Sequence, residues 1–383
     1  MLGLWKSIGL QYSRDSGHRR GDHELDPGMG TLTMRSTVIG LLAVCFSSPF
    51  AVAQESCPAD LNGDRVVDGA DLGALVGAWG TCTGCPEDFN ADGVVNGLDL
   101  GGLLGAWGSC PYVPSWATLV EFAPNPAVVT NPTVRSAIIA TGLPWRVRDT
   151  TTQIEMLLVP PGTFQMGCIV GSIQYGWCNS WELWVHQVTL TNAFYLGRFE
   201  VTQAQWQATM GSNPSWFQSP SAQVPAAQVP NRPVEKVNWI IIQDFLGATG
   251  MRLPTEAEWE YACRAGTQTP FYNGSTDDST VGALAWYYVN SNSQTRPVGG
   301  KAANAFGFHD MLGNVWEWVN DWYGSYSYGA QTNPAGPASG SRRVIRGGGF
   351  DSFTDNVRSS YRTPAQPDGG LISNMGFRVA RTP

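Results

Sequence analysis

Two sets of oxygen-bearing side chains recur at one spacing. Asp60, Asn62, Asp64, Asp68 and Asp71 take positions 1, 3, 5, 9 and 12 of one loop, and Asp88, Asn90, Asp92, Asn96 and Asp99 take the same positions of another. Calcium wants about six to eight hard oxygen ligands, and this spacing wraps carboxylates and amides around one ion, with the position-7 backbone carbonyls of Val66 and Val94 completing the set. Position 6 is Gly93 in the second loop but Arg65 in the first, which lacks the usual glycine at the sharp turn; position 12 is Asp, with less bidentate reach than Glu. A second polar group lies in GGGFDSFTDNVRSSYR (347–362). Ser352 stands there between Asp351 and Asp355, with Arg358, Tyr361 and Arg362 as candidates to hold a polar or anionic ligand. No histidine lies close in sequence to serve as its base, so a nucleophilic Ser352 has little support. No GxSxG, HExxH or phosphate-loop pattern is present.

The acidic loops belong to an internal duplication: CPADLNGDRVVDGADLGALVGAWGTC (57–82) aligns with CPEDFNADGVVNGLDLGGLLGAWGSC (85–110). Behind each loop, Leu72, Leu75, Val76 and Trp79, and Leu100, Leu103, Leu104 and Trp107, recur at i, i+3, i+4 and i+7. This predicts one short helix per repeat with a single apolar face. Glycine disfavours such helices in isolation, and a unit this small needs staples. Cys57 and Cys85, like Cys82 and Cys110, are 28 residues apart. Cys82 and Cys85 have CxxC spacing but fall at the junction of the repeats, and read as members of two separate disulfides. Cys168 and Cys178 are candidates for a local one.

Disulfides accord with export. Met34-Arg35, the apolar run 37–46 and Ala51-Val52-Ala53 stand in the order of a secretory signal peptide cut after Ala53. The run is too short for a membrane span, so no transmembrane segment is expected after cleavage. Residues 1–33 precede a serviceable start at Met34 and are expected to be untranslated or removed with the signal. The expected location is secreted, extracellular or cell-surface, with the periplasm as a variant. A formal charge of -8 without a basic stripe argues against nucleic acid as a partner, and 43% apolar residues argue against a disordered chain.

Residues 112–139 are spaced by prolines and read as an extended linker with room for one short strand. Beyond it, IEMLLVPPGTFQMG (154–167) predicts a strand, a proline turn and a second strand, and HQVTLTNAFYLGRFEVT (186–202) alternates in strand fashion. VTQAQWQATMG (201–211), opened by Thr202, and NWIIIQDFLGATG (238–250) predict short helices. Thr255 and Glu258 form a capping box in RLPTEAEWEYACRAG (252–266). Turns, glycines and aromatic anchors such as Trp316 and Trp318 fill the remainder, which predicts an α+β domain rich in ordered loops.

The ordered motifs PPGTFQMG (160–167), FEVTQAQW (199–206), RPVEKVNW (232–239), RLPTEAEWEYACRAG (252–266), NAFGFHDMLGNVWEWVNDWY (304–323), RVIRGGGF (343–350) and NMGFRVAR (374–381) together resemble the formylglycine-generating enzyme, or sulfatase-modifying factor, superfamily. The resemblance spans 140–383 and implies a C-type-lectin-like core elaborated by long loops. It implies structural calcium on the side chains of Asp310 and Glu317 and the backbone oxygens of Gly313 and Val315. It also implies an oxidase that converts a substrate cysteine to formylglycine with copper(I) held by two cysteines. Those two positions fall here on Ser352 and Val357, which supply no thiolate, so copper is not expected and no catalytic residue is assigned. The position that would pair with Cys263 falls on Val379, leaving Cys263 a free buried thiol. The tandem repeat, 54–111, resembles a dockerin and implies a cohesin-like partner, although loop positions 10 and 11, Gly69-Ala70 and Gly97-Leu98, depart from the hydroxyl pairs many dockerins carry.

The function expected is that of an exported calcium-binding protein whose C-terminal domain, without the oxidase centre, holds a peptide or glycan ligand. Two alternatives are a sulfatase-activating oxidase with an altered centre and a structural subunit of an extracellular polysaccharide-degrading assembly.

Overall fold

The larger sheet of the C-terminal domain is built around Glu155–Val159, in which every residue but the first is buried; such a run suits a central strand covered on both faces. In the computed structural model, which describes residues 57–383 except 65, 111 and 169–177, this strand pairs antiparallel with Phe194–Gly197 on one side and Arg146–Asp149 on the other. Ala380–Arg381 and Ala117–Glu121 complete the two edges. The proline turn at 160–161 sends the next strand, Gly162–Met166, into a different, three-stranded sheet with His186–Leu190 and Gln331–Thr332. A four-stranded sheet runs Arg362–Ala365, Arg343–Arg346, Trp316–Trp322, Met375–Gly376, the last pair parallel.

The helices form where their caps predict. Thr202 opens Gln203–Met210, Asn238 opens Trp239–Thr249, and Thr255 with Glu258 closes a capping box on Glu256–Arg264. Trp206 stacks on Phe245 at 5.4 Å, and Phe377 meets both rings edge-on. A ladder of buried charges joins helix to sheet. Glu260 holds Arg264 on its own helix and Arg346 across the gap, and Glu256 holds Arg362 through two bonds of 2.7 Å. Such pairs persist only because each charge meets its opposite; a lone member would carry its desolvation cost uncompensated.

The stretch 112–139 is not a linker. Ala117–Glu121 pairs with Arg146–Asp149, and Pro132–Ile139 is a helix capped by Asn131 with proline at its first turn. Val129 and Ile138 belong to the main core, and Trp116 meets Tyr195 edge-on at 5.3 Å. The apolar residues between the prolines decide the matter, because burying them outweighs the flexibility that proline spacing suggests.

The tandem repeat forms helices Gly69–Gly77 and Gly97–Gly105, each opened by a capping box. Its strands pair crosswise: Val66–Val67 of the first loop with Gly108–Ser109 after the second helix, and Val94–Val95 of the second loop with Gly80–Thr81 after the first. This crossing brings the two ends of the repeat together, and Cys57 bonds Cys110 while Cys82 bonds Cys85. The expectation that Cys82 and Cys85 serve separate disulfides is thereby corrected. Cys168 bonds Cys178. The single apolar face is corrected as well. Leu75 and Leu103 are fully buried, but Val76, Trp79, Leu104 and Trp107 stay about half exposed, because two short helices have no further layer to cover them.

The proposed leader 34–53 and Arg65 lie outside the described residues. Among the described residues no helix is long and apolar enough to cross a membrane.

Candidate functional site

Ser352 and Val357 flank one tight turn. Gly347 and Gly348 both have positive φ, +88° and +78°, a conformation L side chains resist. A Cβ at residue 348 would meet Val357 Cγ1 at 2.6 Å, so the glycine and the valine pack as one unit, with Val357 wholly buried. Ser352 closes the other side of the turn: its N–H donates to Gly349 O at 3.0 Å and its Oγ accepts the Gly349 N–H at 2.9 Å. Among the described residues, neither His186 nor His309 bonds it. His186 Nδ1 engages Trp184 O and His309 Nδ1 engages Lys301 O. Cys263, free as expected, is buried beside Ser359 and the Met311 carbonyl, and burial pushes its thiol up to about 12.

The three ligand candidates on this stretch are largely spent inside the fold. Arg358 places both terminal nitrogens on Glu182, at 2.8 and 2.9 Å, and its Nε on Asp355 O. Arg362 is clamped to Glu256 and donates to Gly324 O. Tyr361 leans on Trp316, ring centres 5.7 Å apart. The expectation that Arg358 and Arg362 present donors to a ligand is therefore corrected: each is buried and paired with a glutamate distant in sequence, which the local pattern could not reveal. What this end of the domain does expose is aromatic. Phe353 and Tyr288 touch at 4.8 Å and are both more than half exposed, while Tyr288 N–H anchors to Ser352 O. Phe350 meets Phe217 edge-on, and Trp216, next along the chain, is 70% exposed under the Lys236 ammonium. Asn374 holds the Asp351 carboxylate at 2.9 and 3.1 Å. Except for Asp351, the sequence reading did not single these residues out; the surplus of aromatics in glycine-rich loops was the available signal.

A second polar locus lies under the segment 310–317. Asp310, at φ +54°, accepts the Gly299 N–H through Oδ2 at 2.6 Å, while its buried Oδ1 has no partner. Glu317, expected as a metal ligand, is already engaged: Arg378 grips both its oxygens at 2.6 Å and Trp259 Nε1–H donates to Oε2. Val315 N–H and the Asn314 amide bond a carboxylate the sequence reading missed, Glu200, at 3.0 and 2.6 Å. Gly313 has φ +82°, and any side chain there would strike the Trp286 carbonyl. Burial raises Asp310 to about 6, and raises Glu200 well above its ordinary value with help from the neighbouring charges of Asp310 and Glu317. Arg378, bonded to Glu317, also favours the charged forms of Glu200 and Asp310, and Lys301 does the same for Asp310. Among the described residues, no three His, Cys, Asp or Glu side chains converge on a common point.

In the repeats the loop side chains turn inward on their own backbones. Asp60 accepts Gly63 N–H, Asn62 accepts Asp64 N–H, and Asp64 accepts Val66 N–H; Asp88, Asn90 and Asp92 repeat the pattern on Gly93, Asp92 and Val94. Asp68 and Asn96 cap the helices. Burial alone would raise Asp71, but the N–H groups of Asp68, Asn62 and Leu61 outweigh it and hold it low. For Asp99 the Asn96 N–H leads the same effect.

Comparison with known proteins matches residues 145–383 to the family described as sulfatase-modifying factor enzyme 1-like domain. Chaperone protein LppX of Paenibacillus barcinonensis is 30% identical over 293 residues, covering 61% of this chain and 91% of that protein. The formylglycine-generating enzyme of Streptomyces coelicolor is 29% identical over 316 residues, covering 67% and 95%. The solved structure of Treponema denticola variable protein 1 superposes with a TM-score of 0.52 at 30% identity, covering 60% of this chain and 95% of that one.

Proposed function

The chain belongs to the sulfatase-modifying factor enzyme 1-like domain family, and on that premise we propose that it is an exported, calcium-binding, non-oxidase member holding a peptide or glycan at the rim around Ser352. The observation carrying this reading is how the two copper positions are filled. Val357 is packed against Gly348, and the Ser352 hydroxyl is committed to Gly349. Copper(I) needs soft donors, and neither side chain offers one; Cys263 is sealed in the core. Trp216, Tyr288 and Phe353 supply broad amphipathic faces, and Asp351 with Asn374 supplies fixed polar atoms, the mixture from which ligand sites are made. A C-type-lectin-like core, with ligand held by loops, is the fold this reading assumes.

Calcium is proposed at two kinds of place. In the repeats the donors are Asp60, Asn62, Asp64, Val66 O, Asp68 and Asp71, with Asp88, Asn90, Asp92, Val94 O, Asn96 and Asp99 in the second copy. In the domain, the unpartnered Asp310 Oδ1 and the carboxylate surplus around Glu200 support a cation near Asp310, with Gly313 and Val315 carbonyls as further donors. The repeats would recruit a cohesin-like partner, a role supported by the exposed Trp79, Leu98 and Trp107.

The test is copper(I) titration of the purified protein with calcium present, together with turnover of a CxPxR-type peptide. No tight copper and no formylglycine is the expected result. Turnover would show a centre rebuilt from other residues and would overturn the reading.

A further inference from the structure

Among the described residues, two buried arginines of this domain hold no carboxylate: Arg232, whose terminal nitrogens rest on Thr295 O and Gln294 Oε1, and Arg296. Arg346, Arg358, Arg362 and Arg378 each hold a glutamate. Arg296, 6% exposed at the edge of a cavity, holds none. Its Nε donates to Ser291 O at 3.0 Å, and the Trp286 ring lies 5.1 Å from its guanidinium carbon. Its two terminal nitrogens make no hydrogen bond with any described residue, and the side chain borders a cavity of about 450 Å³.

No Asp or Glu lines that cavity. Asp310 reaches its wall only through the Gly299 N–H and makes no pair with Arg296. Neighbouring charges add to the imbalance: Lys301 sits 3.8 Å from the centre of the Trp286 ring, and after burial the charge of Arg296 is the next influence that lowers Arg232. Its walls include Trp286 and Phe199, the amide-bearing Gln223, Gln228 and Asn231, and the backbone of 297–300. A planar guanidinium whose two terminal nitrogens face a cavity without a protein partner matches a carboxylate as a parallel pair of charge-assisted hydrogen bonds.

We propose that this cavity binds a carboxylate-bearing molecule, with the terminal nitrogens of Arg296 receiving the carboxylate and Trp286 and Phe199 flanking the body that carries it. None of the rim residues around Ser352 lines this cavity, so the assignment stands or falls separately from the proposal made for that rim.

The test titrates the full purified chain with D-glucuronate, benzoate and sulfate by calorimetry, then repeats the titrations on R296Q, R296K and Q228E. One of the two carboxylates should bind at least about tenfold more tightly than sulfate, and R296Q should lose about tenfold or more of that affinity, with R296K recovering only part because it lacks the fork. Preference for glucuronate identifies an acidic sugar and preference for benzoate an aromatic acid; either supports the assignment. Gln228 is exposed, so Q228E places a repelling charge at the wall without disturbing the core, and it should weaken the carboxylate several-fold at an unchanged melting temperature. The proposal is overturned if neither carboxylate binds the wild type, if sulfate binds as tightly as both, or if R296Q binds like the wild type. Should R296Q fail to fold, unchanged affinity in Q228E overturns it instead.

Discussion

Gly348 and Val357 are locked together: the glycine's φ is +78°, and the space its side chain would need is filled by Val357 Cγ1. Val357, one of the two positions at which the proposed reading expects a copper thiolate to be missing, is therefore a packing contact. Gly348→Ala combines a left-handed backbone with a clash, and should cost about 2–4 kcal/mol by denaturant unfolding. Adding Val357→Ala removes the clashing methyl, so the double variant should be more stable than the sum of the single effects implies. Strict additivity would show that the contact does not shape the turn.

Arg358 and Glu182 offer a second check. Glu182→Ala leaves the buried Arg358 without its carboxylate and should destabilise by about 3–5 kcal/mol. If instead Arg358 were free to serve a ligand, Glu182→Ala would be near neutral and would raise affinity for anions. Chemical unfolding and anion titration of the same variant separate the two.

Glu235 carries the clearest pH signature away from the proposed ion sites. Its Oε1 accepts the Phe217 N–H at 2.8 Å, while its buried Oε2 has no partner. Burial raises the carboxyl to about 7 from an ordinary 4.5, against the lowering pull of the Phe217 and Trp216 N–H groups and of Lys236 and Arg232. A folded value above the unfolded one means that its contribution is fully present below about pH 4.5 and is lost as pH rises through about 7. Glu235→Gln should remove that loss, gaining on the order of 2–3 kcal/mol over the wild type between pH 5 and 8. Parallel stability curves for the two proteins would contradict the assignment.

Calcium removal should separate the two parts of the chain. With calcium at about a hundredfold over its dissociation constant, binding to the folded state alone contributes about 2.7 kcal/mol. Chelation should therefore lower the melting transition of the repeats, and separately that of the C-terminal domain through the ion proposed near Asp310, while Asp99→Asn should shift the repeat transition alone. A transition indifferent to chelator would leave the disulfides as the staples of this unit.

Much of this protein was legible along the chain. The caps at Thr202 and Thr255, the helices behind them, the repeat and its loop spacing, and the proline turn between two strands all rest on interactions a few residues long, which a sequence displays directly. Glycine at 348 could be read only as flexibility until Val357 was seen filling its space. Tertiary structure alone decided the rest, because those contacts join residues far apart. Arg358 finds Glu182 across 176 positions and Asn314 finds Glu200 across 114; the repeat strands cross, bringing Cys57 to Cys110 across 53; and Val129 and Ile138 turn an apparent linker into core. Whether a charged side chain serves a ligand or the fold depends on which opposite charge the packed chain brings to it. Arg358 and Arg362 were given one, and Arg296 was not.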